Sequence, residues 1–156
     1  MSRGYQVELH KLDAQWLGVP QERERLIFIG VRDDLRVRPR APKHNDWHYT
    51  IKDALPHVRD IEGWHYKLFI RSADRPLMTV MASSQQRLGG HYVDGSAIER
   101  LPIDELKPLC GFPADFKFPE ASTYEEMKER LGNAVPPPMA YAIAREVRDV
   151  LLKGRR

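Results

Sequence analysis

Apolar and polar positions alternate from Tyr5 to Leu12 and give way to an unbroken apolar run from Leu26 to Val31, which predicts two strands around a polar loop. A continuously apolar strand is usually covered on both faces, so the second run points to a central strand of an α/β sheet rather than an isolated hairpin. At the other end of the chain the period changes. Met139, Ile143, Val147, Val150 and Leu151 recur at helical spacing with Arg145, Arg148 and Asp149 opposite them. Prolines 136–138 supply first-turn residues, and a helix is predicted over 138–152. Ser122 and Thr123, followed by Glu125 and Glu126, predict a capped helix reaching Leu131 with Gly132 as its stop. Shorter helical patches are expected at Ile103–Leu106 and after Thr50, where Asp53 completes a capping pattern and Pro56 cuts the helix off.

Between Arg32 and Arg75 the texture is charged and broken by prolines, which reads as a connection over the surface. Here Trp47, Tyr49, Trp64, Tyr66 and Phe69 are interleaved with Lys43, His44, Lys52, Lys67 and Arg71. Such a mixture suits contact with nucleic acid, and equally suits a small subdomain that uses the rings as its core. From Arg75 to Pro119 turn signals surround the short helical patches, and no internal repeat is visible.

Composition narrows the class. At 156 residues and 42% hydrophobic the chain has the length of one ordinary domain with enough apolar material for a core. The absence of an 18-residue apolar run argues against a membrane span, and the N-terminus lacks a secretory h-region, so a cytoplasmic protein is expected. A single cysteine, Cys110, excludes an internal disulfide and any zinc site built on several thiolates. The net charge of +3 permits a nucleic-acid partner without demanding one.

Two constellations carry candidate chemistry. In the loop Gly18–Arg25, extended geometry would place Gln21, Arg23 and Arg25 on one side and Glu22 and Glu24 on the other. Guanidinium forks in a row suit phosphates or the carbonyl edge of a base, although pattern alone favours a solvated, mutually paired edge. The second is Leu131–Pro138, where small residues precede a helix start and would leave backbone N–H groups open to a ligand. A glycine C-cap joining two helices satisfies the same residues; the Asn133 amide, able to donate and accept, tips the balance toward a ligand site.

Gly18–Arg25 followed by an apolar strand resembles motif VIII of the DNA cytosine-5 methyltransferases, whose form is Gly-Val-Pro-Gln-x-Arg-x-Arg. Arg75–Val80 resembles the opening of motif IX, Leu109–Pro113 the family's Leu-Gln-Gly-Phe-Pro, and Gly132–Pro136 motif X, in the family's order and spacing. The resemblance implies an α/β fold, the C-terminal part of a Rossmann-like methyltransferase that uses S-adenosylmethionine, with a short, loop-rich target-recognition region. Residues 1–36 would belong to the catalytic domain, 37–74 to target recognition, and 75–156 to the motif IX to motif X region. By the same resemblance Arg23 and Arg25 would hold the extruded cytosine and a neighbouring phosphate, with Gln21, Arg75 and Thr79 also on the side of double-stranded DNA. Asn133, Ala134 and Val135 would line the S-adenosylmethionine pocket.

Departures from the family are as informative. The Pro-Cys pair that supplies the thiolate nucleophile, the Glu-Asn-Val motif and the glycine-rich cofactor turn do not occur in these 156 residues, and Cys110 reads as a small core residue. The chain is therefore expected to act with an N-terminal methyltransferase half or second subunit, to be inactive alone, and to expose apolar surface on its first strand pair and last helix where that half would pack. When isolated it would associate with itself or with a partner. Two other readings compete: a catalytically silent DNA-binding or regulatory module, and a metal enzyme built on His44, Asp46 and His48.

Overall fold

The computed structural model describes residues 4–65, 67–83 and 85–153. Strands β1 (Tyr5–Asp13) and β2 (Glu24–Arg32) pair antiparallel, with Leu9 opposite Phe28 and Leu12 opposite Arg25. Asp13 ends β1 by accepting a hydrogen bond from the Gln15 N–H, which starts a 3-10 turn over Ala14–Leu17. Gly18, at φ +87°, closes that turn in the left-handed region. Leu12 then joins Ala14, Leu17, Val19 and Met139 in a small core bordered by Ile27, Ala142 and Ile143.

The expectation of a central strand is corrected here. Within this chain β2 belongs to a two-stranded ribbon. Ile29 and Val31 are buried on one face, while on the other Tyr5, Val7, Leu9, Leu26 and Phe28 are 54–69% exposed. The unbroken apolar run thus supplies two apolar faces, of which the chain's own residues cover one.

A second body is built from β3 (Val58–His65), β4 (Lys67–Ser72), β5 (Arg87–Tyr92) and β6 (Ala97–Ile98), in the antiparallel order β4-β3-β5-β6. Its core gathers Ile51, Leu55, Val58, Ile61, Leu77, Val80, Leu88, Leu101, Leu106, Leu109 and Leu131. Three helices contribute to it: α1 (Ile51–Ala54), α2 (Ile103–Leu109) and α3 (Tyr124–Asn133). The connection anticipated over 32–75 therefore contains two strands. A register shift between Val58 and Asp60 breaks the alternation that would have marked β3, placing its buried residues at 58, 61 and 63.

Thr50 with Asp53 and Thr123 with Glu126 form capping boxes as expected, whereas Ser122 lies outside the helix and its hydroxyl accepts from Arg130 instead. Helix α4 (Pro137–Lys153) buries Met139 and Val150 as its spacing indicates. Gly132 is not a helix stop. It lies inside α3, with Ala134 as the cap, and a Cβ there would come within 2.4 Å of the Ala82 nitrogen. The molecule is thus mixed α/β with two small sheets, and among the described residues no helix is long and apolar enough to cross a membrane.

Candidate functional site

The loop that joins β1 to β2 is stitched to the segment that follows β4. Gln21 makes a parallel bridge with Leu77, the Glu22 N–H donates to the Leu77 carbonyl at 2.7 Å, and the Leu77 N–H donates to the Pro20 carbonyl at 2.9 Å. The Thr79 hydroxyl donates to the Glu22 carbonyl at 2.7 Å. These bonds hold open a cleft of about 660 Å³ lined by Asp13, Glu22, Glu24, Phe69, Met78 and Thr79 among others.

Gln21 and Arg23 both point inward. The Gln21 amide donates to the Leu109 carbonyl and to Cys110 Sγ. Arg23, 1% exposed, donates to the Val80 carbonyl at 3.3 Å, to the Ala134 carbonyl at 2.8 Å and to the Gly132 carbonyl. Burial and the neighbouring Arg25 hold its pKa below the ordinary arginine value. The row of guanidiniums inferred from alternation therefore divides. Arg23 fastens the loop to the Gly132–Ala134 turn, and Arg25, half-buried at the ribbon's end, donates to the Glu24 carbonyl at 2.7 Å. Glu22 and Glu24 do face the other way, pairing with Arg71 and Lys11.

The Arg75 side chain is exposed, while its carbonyl accepts from the Ile51 N–H at 2.9 Å. Asn133 and Val135 are exposed beside a depression of about 520 Å³ that Asn133 and Ala134 line with Glu126, Glu129 and Arg130. The open N–H groups expected at the following helix start reduce to that of the buried Met139. Prolines 136–138 have no N–H, and the Ala140 N–H is already bonded to the Pro136 carbonyl, so a ligand here would meet the Asn133 amide and the Val135 side chain.

Cys110 is buried, and burial pushes its thiol up to about 11, which keeps it protonated and poorly nucleophilic near neutral pH. Of the metal reading, His44 and Asp46 are exposed, whereas the His48 ring packs edge-on against Trp16 at 5.2 Å; among the described residues no three metal-ligating side chains cluster. The aromatic residues split between the two roles considered: Phe69 packs on the core, and Trp47, Tyr49 and Trp64 are exposed. Tyr66 and the side chains of His65 and Lys67 lie outside the described residues.

Sequence reasoning missed two residues that fix this site. Gln86 accepts from the Met81 N–H and donates to the Thr79 carbonyl, and Lys128, buried on α3, donates to the Met81 and Ser83 carbonyls. Together with Arg23 they hold the main chain of 79–83 from three directions. Lys128 sits at i+4 from Tyr124 and i−3 from Leu131, so a lysine on the helix's inner face was the available signal. Gln86 had none.

The sequence profile of the C-5 cytosine-specific DNA methylases matches residues 1–75 and 57–149. Type II methyltransferase M.BsuFI of Bacillus subtilis is 35% identical across 97% of this chain and 42% of its own length. M1.HphI of Haemophilus parahaemolyticus is 28% identical across 92% of this chain and 48% of its own length. M.MspI of Moraxella sp is 28% identical across 92% of this chain and 38% of its own. The chain thus spans less than half the length of these three relatives. The M.BsuFI match extends over 180 positions, more than the 156 this chain has, so that relative carries residues between the matched segments that this chain lacks. With motifs VIII, IX and X brought together around Arg23, the chain belongs to the C-5 cytosine-specific DNA methylase family.

Proposed function

We propose that this chain forms the C-terminal part of a DNA cytosine-5 methyltransferase and works with an N-terminal part that supplies the cysteine nucleophile and the rest of a Rossmann-like fold. One observation carries the reading: the Arg23 guanidinium ties the motif VIII loop both to Val80 and to the Gly132–Ala134 turn, so that cleft and turn move as one piece. The N-terminal part packs on the bare face of Tyr5, Val7, Leu9, Leu26 and Phe28.

In this arrangement Arg25, Arg75 and Thr79 face double-stranded DNA, Thr79 from the wall of the cleft, with Arg25 the guanidinium near the extruded base. Gln21 and Arg23 act by positioning. S-adenosylmethionine is the methyl donor this family implies, and the exposed Asn133 amide beside the exposed Val135 side chain fits one wall of its site. Asn133 offers a donor and an acceptor, Val135 excludes water, and Ala134 leaves room for close approach. Charge pushed onto the base carbonyl during attack by the partner's thiolate is stabilised by Arg25.

The test is transfer of labelled methyl to duplex DNA by this chain alone and mixed with an N-terminal segment carrying the glycine-rich turn, Pro-Cys and Glu-Asn-Val. Label in DNA from the mixture only is expected. Label from the 156-residue chain alone overturns the division of labour, and DNA binding without transfer in a folded mixture favours the silent module. In the active mixture Arg25→Lys is expected to lower turnover about 10²-fold or more with little change in DNA affinity, because an ammonium cannot reproduce a planar fork of donors.

A further inference from the structure

The whole net charge of this protein resides in twelve residues. Between Arg32 and Lys43, five cations (Arg32, Arg36, Arg38, Arg40, Lys43) stand against Asp33 and Asp34, leaving +3, which equals the net charge of the entire chain. The other 144 residues are therefore balanced, and the imbalance is a local feature with a definite shape.

After the 3-10 turn Asp33–Leu35 the chain leaves regular structure and runs past α4. Exposure alternates strictly: Arg36, Arg38 and Arg40 point outward, Leu35 and Val37 are half-buried, and Pro39 is buried. Pro42 is buried too, and Ala41 packs beside Ala142 and Ile143 of α4. The prolines fix φ, so this rail is held in shape before any partner arrives. Arg40 pairs with Glu146 of α4 at 2.7 Å. Arg36, Arg38 and Lys43 have no ion-pair or hydrogen-bond partner on their side chains among the described residues. Lys43 and Arg40 share a groove of about 560 Å³ with Arg145, Glu146 and Asp149, the last held by Arg148.

We propose that the rail Arg36–Lys43, with Arg145 beside it, is a second DNA surface that tracks the phosphate backbone without reading sequence. An extended chain sets alternate side chains roughly 6.5 Å apart, so each guanidinium reaches a separate phosphate. No aromatic side chain lines the groove beside the row, which removes base stacking there and leaves charge neutralisation. The outward positions carry no apolar side chain, which a membrane-surface segment needs for insertion. None of the rail's residues lines the cleft of Glu22, Glu24 and Thr79, so this surface adds affinity and retention on DNA and leaves the choice of site elsewhere. The choice of duplex DNA as the polyanion rests on the family reading; the presence of the rail does not.

The test is equilibrium binding of the full 156-residue chain to a fluorescent duplex of unrelated sequence between about 50 and 200 mM salt. The triple variant Arg36→Ala/Arg38→Ala/Lys43→Ala is expected to reduce the magnitude of the log K against log salt slope by about 2 to 3, close to 0.9 per lost phosphate contact. A control with the same charge loss elsewhere, Lys11→Ala/Arg59→Ala/Lys117→Ala, is expected to change the slope by less than about 1. All six side chains are on the surface, so folding of both variants is checked by circular dichroism. Three results overturn the proposal: no binding by the parent chain at the low-salt end, equal slope changes in both variants, or binding to anionic phospholipid vesicles in preference to the duplex. Failure of the methyl-transfer mixture leaves these slopes untouched, which separates the two readings.

Discussion

The two sheets of this molecule contrast in how completely they are covered. The four-stranded sheet turns Ile61 and Leu88 onto a core closed by α1, α2 and α3, and the aliphatic residues of that core are at most 5% exposed. The β1–β2 ribbon is covered by α4 on one face only and leaves five large apolar residues in solvent on the other. Monomeric proteins rarely leave apolar residues contiguous on a surface unless something docks there. The second body closes a core on one face of its sheet and leaves Trp64, Leu68 and Ile70 exposed on the other, whereas the ribbon's open face is larger and has only a small core behind it. Between them lies the Arg23 junction, so the candidate site sits at the boundary between the core of the second body and the ribbon.

That contrast is sharpest in stability. Ile61→Ala in the closed core is expected to cost about 2–5 kcal/mol, measured by urea denaturation, because a fully buried β-branched side chain leaves a cavity among well-packed neighbours. A loss below 1 kcal/mol would mean that the second body is not the closed core described.

Gly132→Ala comes next and has an unusual sign. Alanine inside a helix ordinarily stabilises by about 1 kcal/mol relative to glycine. Here the new methyl group would meet main-chain atoms of Met81 and Ala82 at 2.4–2.7 Å, and main chain cannot rotate aside. A net destabilisation of about 1–3 kcal/mol is expected, with faster amide exchange over 79–83. Unchanged or increased stability would show that α3 does not press on that segment.

How much of this was legible before the fold was known follows the same division. The two strands of the ribbon, α3 and α4 declared themselves through an alternating and an apolar run, capping pairs and a helical stripe, whereas the apolar run of β2 pointed to a central strand and not to a two-stranded ribbon. Strand β3 did not, since its bulge interrupts the period, and β5 did not, since Gly89 and Gly90 carry no side chains to show a pattern. Of the candidate site, spacing put Gln21, Arg23 and Arg25 on one side and the family resemblance made them candidates, but spacing cannot tell which of three residues on one side will be swallowed by the protein. That depended on Val80, Gly132 and Ala134, which arrive from 57, 109 and 111 residues away. Gly132 reads as a helix stop in the sequence because a packing glycine and a capping glycine look alike until the opposing main chain is known.

Cys110 gives a smaller, pH-dependent effect within the covered core. Burial raises the thiol to about 11 from an ordinary value of 9.0, so the folded state favours the protonated form. The sign follows: its contribution is complete below about pH 9 and is lost as pH rises toward about 11. Stability of the parent chain is therefore expected to fall more steeply across that window than stability of Cys110→Ala, in urea titrations at matched pH. Parallel curves would place the thiol in contact with solvent.

The smallest expected change in stability is the one that can break the comparison outright. Phe28 lies opposite Leu9 on the bare face of the ribbon, 69% exposed, so Phe28→Ser removes little buried area and is expected to shift stability by less than about 0.5 kcal/mol. Its effect should appear in association instead. An exposed apolar face with two free strand edges favours self-association, and a serine at its centre lowers that drive without touching the core. Sedimentation velocity over a concentration series is expected to show weaker association for Phe28→Ser than for the parent, and the same substitution should weaken capture of an N-terminal methyltransferase segment. If Phe28→Ser instead destabilises the chain by as much as Ile61→Ala, the ribbon's outer face is part of a core, and the contrast between the closed core and the ribbon's open face falls with it.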